Sequence, residues 1–218
     1  FSEVYVAGAH FYFSLYLIQN RIPFYFFEDA AGMLSKSQEL YETLAASFPT
    51  HAKIARKYRL FNGENPYIYR VICLKKAQTI DVSDERYLDF SVEEALQNLP
   101  ERERKNLIHF FLKHRLWTKA EAILLTQHFA NLNMMSEEEQ IRSYKLLRVS
   151  ALQDVRLIIK KHPDDYLNYR KIFPDAELIK EIFPAELLPY VFWRKPTSIY
   201  TFDSTSCENL GKHFLIQK

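Results

Sequence analysis

Short apolar runs alternate with amphipathic stretches from the first residues onward. Glu3 to Ala7 (Glu-Val-Tyr-Val-Ala) reads as a short buried strand, and the apolar segment His10 to Gln19 that follows Gly8 reads as a helix broken by Asn20 and Pro23. Pro23 to Phe27 (Pro-Phe-Tyr-Phe-Phe) is a second buried strand, rich in aromatics. A strand–helix–strand order favours a parallel sheet. Residues 33 to 65 read as mostly helical and polar, with Asn62-Gly63 as a turn signal. Tyr67 to Leu74 is a further strand candidate. Ser91 to His114 has a helical pattern that opens on a capping box of Ser91 and Glu94.

From Ala120 the alternation becomes regular. Strands are predicted at Ala122 to Thr126, Val155 to Ile159, Glu177 to Ile182 and Ser198 to Phe202. Helices are predicted at Glu137 to Leu147, capped by Ser136 with Glu139, at Ala185 to Val191, and from Ser204 to Gly211. The pattern implies an α/β fold of two Rossmann-like lobes with parallel sheets, residues 1–118 and 119–218, with Lys119 at the boundary. The chain starts at Phe1 almost directly in a strand, so the N-terminal lobe is expected to be incomplete and to belong to a longer protein.

Composition narrows the function. The 218 residues are 48% hydrophobic and 26% charged, which suits a globular protein with a sizeable core. Aromatics make up 15% and are structural first, Trp117 and Trp193 included. A net charge of +2 argues against nucleic acid as a partner. Cys73 and Cys207 are far apart and form no metal pattern, as expected of free thiols in a reducing compartment. The longest apolar stretch, Val4 to Ile18, is 15 residues, too short to span a bilayer comfortably, which leaves peripheral membrane association open.

With only four glycines, neither a dinucleotide fingerprint nor a P-loop can be written. There is no Asp-x-Asp, and His109 and His114 are badly spaced for a metal pair, so no metal site is expected. Ligands of open parallel sheets sit at the carboxyl ends of the strands. The polar groups falling there are Glu28-Asp29, Thr126-Gln127, Lys160-Lys161-His162-Pro163 and Asp203-Ser204-Thr205-Ser206. Their chemistry suits a phosphate leaving group. Hydroxyls at a helix start would cradle the phosphate, and His162 would give it a hydrogen bond or a proton. Pro163 fixes the backbone behind His162. Lys160 and Lys161 alternate, so only one is expected to face the ligand. Asp29 would take the proton of an attacking hydroxyl.

Lys-His-Pro after an apolar strand, Ser-Thr-Ser after a later one and an acidic pair after an N-terminal strand resemble the bacterial lipooligosaccharide sialyltransferases and capsule polysialyltransferases. Ile123 to Gln127 and Phe183 to Pro189 resemble their nucleotide-domain segments. The resemblance implies a two-lobed GT-B fold, with an N-terminal acceptor-side lobe and a C-terminal nucleotide-sugar lobe, and no cofactor or metal. It also implies CMP-sialic acid as donor and a glycan as acceptor, in surface polysaccharide synthesis at the cytoplasmic side of the membrane. His162 then matches the histidine that contacts the CMP phosphate, and Ser204 to Ser206 match the phosphate-binding serines. Glu28 and Asp29 match the acidic pair that supplies the base, with Ala30 where the family has glycine. Thr126, Gln127, Lys161, Pro163 and Glu186 complete the expected nucleotide-sugar contacts. A UDP-sugar donor and a non-catalytic sugar-binding module are the rival readings.

Overall fold

The computed structural model describes residues 3–8, 12–28, 33–74, 84–202 and 210–217. It is a mixed α/β protein in which every strand pairing among the described residues is parallel. The chain divides into two compact units, Phe1–Ala95 and Leu96–Lys218. No described helix is long and apolar enough to cross a membrane.

The first unit runs β1 (Tyr5–Ala7), α1 (Tyr12–Gln19), β2 (Phe24–Phe27), α2 (Ser37–Ser47), α3 (Pro49–Lys57), β3 (Ile68–Cys73) and β4 (Tyr87–Asp89). Its sheet has the order β1-β2-β3-β4, so it winds in one direction. Right-handed crossovers then carry the helices to one face. Leu15, Leu17 and Ile18 of α1, Tyr41 of α2 and Ala55 of α3 share one core with Phe24, Phe26, Val71 and Cys73 from the strands. On the sheet, Tyr5 stacks on Tyr25 with ring centroids 4.5 Å apart, and Tyr69 meets Tyr25 edge-on at 5.3 Å. Tyr5 and Tyr69 remain exposed. Cys73 is buried, as expected of a thiol in a core.

The division between the units falls inside α4 (Val92–Asn98), where the Ser91 hydroxyl accepts the Glu94 amide at 3.2 Å. Pro100 separates α4 from α5 (Glu101–Phe111), breaking what the pattern suggested was one helical stretch. The second unit thus starts at Leu96 rather than at Lys119. The segment after α5 belongs with it because Leu116 pairs with Phe192. The Leu116 N–H donates to Val191 O at 2.7 Å, and the Trp193 N–H donates to Leu116 O at 3.0 Å. Then come β5 (Ala122–Leu125), α6 (Glu137–Ala151), β6 (Leu157–Lys160), α7 (Tyr169–Ile172), β7 (Glu177–Leu178), α8 (Leu188–Val191), β8 (Ser198–Tyr200) and β9 (Leu215–Gln217). The capping box of α6 is complete, with Ser136 and Glu139 bonding reciprocally. β5 and β6 are buried throughout, as parallel strands covered on both faces should be.

The second sheet has the order β7-β6-β5-β8-β9. It begins in the middle, builds outward through β6 and β7, then reverses to β8 and β9 on the other side. Such a reversal is a topological switch point, where open α/β sheets bind ligands. The strand order also places Lys160 and Tyr200 on either side of β5, two strand spacings or about 10 Å apart.

Gly63 ends the turn before β3 at φ +65°, and a Cβ there would stand 3.0 Å from Val71 Cγ2. Left-handed backbone costs a residue with a Cβ about 1–2 kcal/mol. Gly63→Ala is therefore expected to lower stability by about that amount in a denaturant titration.

Candidate functional site

A cavity of about 390 Å³ opens at the carboxyl ends of β5 and β6 in the second unit. Thr126 and Gln127 border it after β5. Lys160 borders it at the end of β6, Lys161, His162 and Pro163 border it after β6, and Glu186 lines it as well. All of the expected nucleotide-sugar contacts that lie among the described residues therefore meet on one cavity. Ser204, Thr205 and Ser206 lie outside the described residues, as does Asp29.

The local structure comes from a tight turn. The His162 carbonyl accepts the Asp165 N–H at 3.1 Å, closing a β-turn with Pro163 at its second position, where the fixed φ of proline fits. Within that turn the Asp164 N–H donates to His162 Nδ1 at 3.2 Å. An accepting Nδ1 leaves the hydrogen of the neutral ring on Nε2. His162 is thereby set up as a hydrogen-bond donor through Nε2. Burial, then the neighbouring His128, hold its pKa below the usual imidazole value, opposed by Asp164 and Asp165. His128 stacks on it with ring centroids 3.9 Å apart.

Thr126 has a different duty from the one expected. It is buried, its hydroxyl donates to Asp165 Oδ2 at 2.7 Å, and the same oxygen accepts the His162 N–H at 3.1 Å. The donor of the hydroxyl and one of its two lone pairs are used inside the protein, so Thr126 positions His162. Asp165 also accepts the Tyr169 hydroxyl at 2.7 Å and the Leu167 N–H at 3.1 Å. Burial raises the pKa of Tyr169, which stays a donor. Gln127 is held by its backbone. Its N–H donates to the Tyr144 hydroxyl at 2.8 Å, and its carbonyl accepts Gln140 Nε2 at 2.7 Å. Burial pushes Tyr144 up to about 12, so it too stays protonated.

Both lysines border the cavity, against the expectation that only one would. β6 ends at Lys160, so Lys161 already lies in the loop and escapes the alternation of the strand. Lys161 Nζ donates to the Leu167 carbonyl at 3.3 Å. Lys160 is the more telling of the two. It is buried, its ammonium sits 4.6 Å from the centre of the Phe183 ring, and burial lowers its pKa while Glu186 opposes the shift. Lys160 thus sets a buried amine on the cavity wall within electrostatic reach of His162.

His128, His162 and Asp164 present donor atoms all within 4.8 Å of one another, and these are residue types that suit zinc. The rings, however, lie within 20° of parallel, so their in-plane lone pairs run side by side instead of converging. Nδ1 of His162 also carries the Asp164 amide. One ring would have to turn before both could ligate one ion.

In the first unit, Glu28 follows β2 as expected but is no solvated loop residue. It is fully buried, and its carboxylate accepts the Leu74 N–H at 2.9 Å and the Leu34 N–H at 3.4 Å. Its carboxylate ties the end of β2 to the end of β3.

No family model matches the chain. An uncharacterised protein of Haemophilus influenzae is 33% identical over 66 residues, which are 30% of this chain and 21% of that protein. The match therefore spans about a fifth of its relative's length.

Two outcomes follow from this geometry. Thr126→Val removes one donor and one acceptor from a buried network and should cost about 1–3 kcal/mol in equilibrium unfolding. In an NMR titration, His162 should protonate below the ordinary imidazole value of 6.5, and His128→Ala should raise its midpoint. Because the folded value is depressed, the unfolded chain takes up this proton first. The associated stability is complete above the ordinary imidazole range and is lost as pH falls through the folded value.

Proposed function

We propose that the second unit binds a nucleotide sugar and that the chain is a metal-independent glycosyltransferase of GT-B architecture, transferring sialic acid from CMP-sialic acid to a glycan hydroxyl. One observation carries the reading. Gln127, Lys161, His162 and Pro163, each picked out by its place after a strand, border one cavity with Glu186, expected from the resemblance, at the carboxyl ends of parallel strands.

In this reading the donor phosphate lies against His162 and Lys160. The Nε2–H of His162 donates to a phosphate oxygen, and the ammonium of Lys160 offsets the charge that develops as the glycosidic C–O bond breaks. An arriving phosphate would raise the depressed pKa of His162, because an opposite charge favours the imidazolium. In the imidazolium a proton on Nδ1, with the Asp164 carboxylate 3.9 Å away, would replace the bond from the Asp164 N–H, so that Nε2 could give its proton to the departing CMP and leave a neutral ring. Ser204, Thr205 and Ser206 would add hydroxyls to the anion site. Glu186 would bond donor hydroxyls. Asp29 would take the proton of the acceptor hydroxyl as the new glycosidic bond forms. The acceptor belongs to surface polysaccharide, built at the cytoplasmic face of the membrane.

Calorimetric titration should show CMP binding to the wild-type chain, and His162→Ala should lower transfer from CMP-sialic acid by about a hundredfold or more. UDP binding without CMP binding would reject the donor. Equal transfer by wild type and variant would remove His162 from the mechanism.

A further inference from the structure

The two tryptophans of this chain do not pack in the core, as their residue type suggested they would. Trp117 is 67% exposed and Trp193 is 70% exposed. They stand 76 positions apart in sequence, yet the pairing of Leu116 with Phe192 brings their two segments side by side. Around Leu116 the backbone alternates. Leu116 and Thr118 turn inward, while Arg115, Trp117 and Lys119 face out in a row.

The charge of these segments is one-sided. No acidic residue occurs from Phe110 to Ala120 or from Leu187 to Phe202. The same stretches carry Lys113, Arg115, Lys119, Arg194 and Lys195, all exposed. The whole chain is only +2, so this is a local concentration of positive charge. Each tryptophan has a cation over its ring, with Arg115 5.3 Å from the centre of Trp193 and Lys119 5.7 Å from Trp117. Beside Trp193 a hollow of about 600 Å³ is walled by Lys113, His114 and Arg115. Its acidic wall residue, Glu101, is paired with Lys105 at 2.7 Å. Glu177 accepts the Lys119 backbone N–H at 3.3 Å, and Glu121 is paired with Arg156 at 2.6 Å.

We infer that the surface formed by Trp117, Trp193 and the surrounding cations docks on an anionic lipid bilayer. An indole has a large apolar body and one N–H donor, and it settles at the depth of lipid headgroups. Lysine and arginine beside it are drawn to anionic headgroups, each contributing about 1 kcal/mol. The hollow beside Trp193 admits a headgroup phosphate among three basic side chains. A nucleic acid is disfavoured because a chain so near neutrality lacks an extended basic stripe. The inference is independent of what the cavity at β5 and β6 binds.

These being the only tryptophans, their fluorescence reports directly on the surface. The full chain should blue-shift its emission and co-sediment with vesicles of phosphatidylcholine and phosphatidylglycerol, and do neither with phosphatidylcholine alone. Raising the salt should release it. Arg115→Gln and Lys119→Gln should each weaken partition about fivefold. The Trp117→Ala, Trp193→Ala double variant should lose co-sedimentation while keeping its circular dichroism and thermal midpoint. Absence of a shift with anionic vesicles would overturn the inference. So would unchanged partition of the double variant, or capture by soluble heparin without capture by vesicles.

Discussion

The carboxylate of Asp165 is the group around which the polar end of the second sheet is arranged. A buried carboxylate without donors costs several kcal/mol, so its partners must be in place for the unit to fold. Those partners come from three places: Thr126 just past β5, the Leu167 amide and the Tyr169 hydroxyl of α7. Satisfying one charge therefore clamps the end of β5 to the loop that follows β6. The Thr126 hydroxyl, oriented by Asp165, then receives the His162 N–H, and the turn through Pro163 directs the Asp164 N–H onto His162 Nδ1. The tautomer of the candidate catalytic ring follows from a carboxylate that never reaches the cavity.

The two sheets are built from similar strands but offer different surfaces. The first winds from edge to edge, keeps its helices with one core and, among the described residues, has no reversal of strand order. The second starts in its middle and reverses its order between β5 and β8, and its cavity lies on one side of that reversal, at the ends of β5 and β6. Gln127, Lys160 and His162 meet on one cavity because β5 and β6 are neighbours whose ends lie level, Leu125 opposite Lys160, while Glu28, at the corresponding end of a strand in the first sheet, is buried and bonded to backbone. The same position after a strand borders a cavity in one sheet and ties two strand ends together in the other.

Much of this was legible in advance. β2, β5 and β6 are short apolar runs bounded by turn residues, and such runs have few other places to go than a covered parallel sheet. The cap at Ser136 and the turn at Gly63 were local chemistry and came out as local chemistry. β4, α7 and β9 went unnoticed because three or four residues leave no period to detect. His128 and Asp165 were overlooked for another reason. An imidazole in a loop and an acid after a proline look like solvated residues until Tyr169, Thr126 and the facing ring of His162 are placed against them.

Apolar spacing and turn chemistry thus dictated which stretches became strands and helices, and that the strands would run parallel, because those preferences act between neighbours along the chain. Strand order, the burial of Lys160 and Asp165, and the emergence of Trp117 beside Trp193 at the surface were decided only in the folded unit. Each depends on contacts between residues dozens of positions apart. Their sign is set by what else occupies the same space: a hydroxyl under a carboxylate, a ring under an ammonium, or water over an indole.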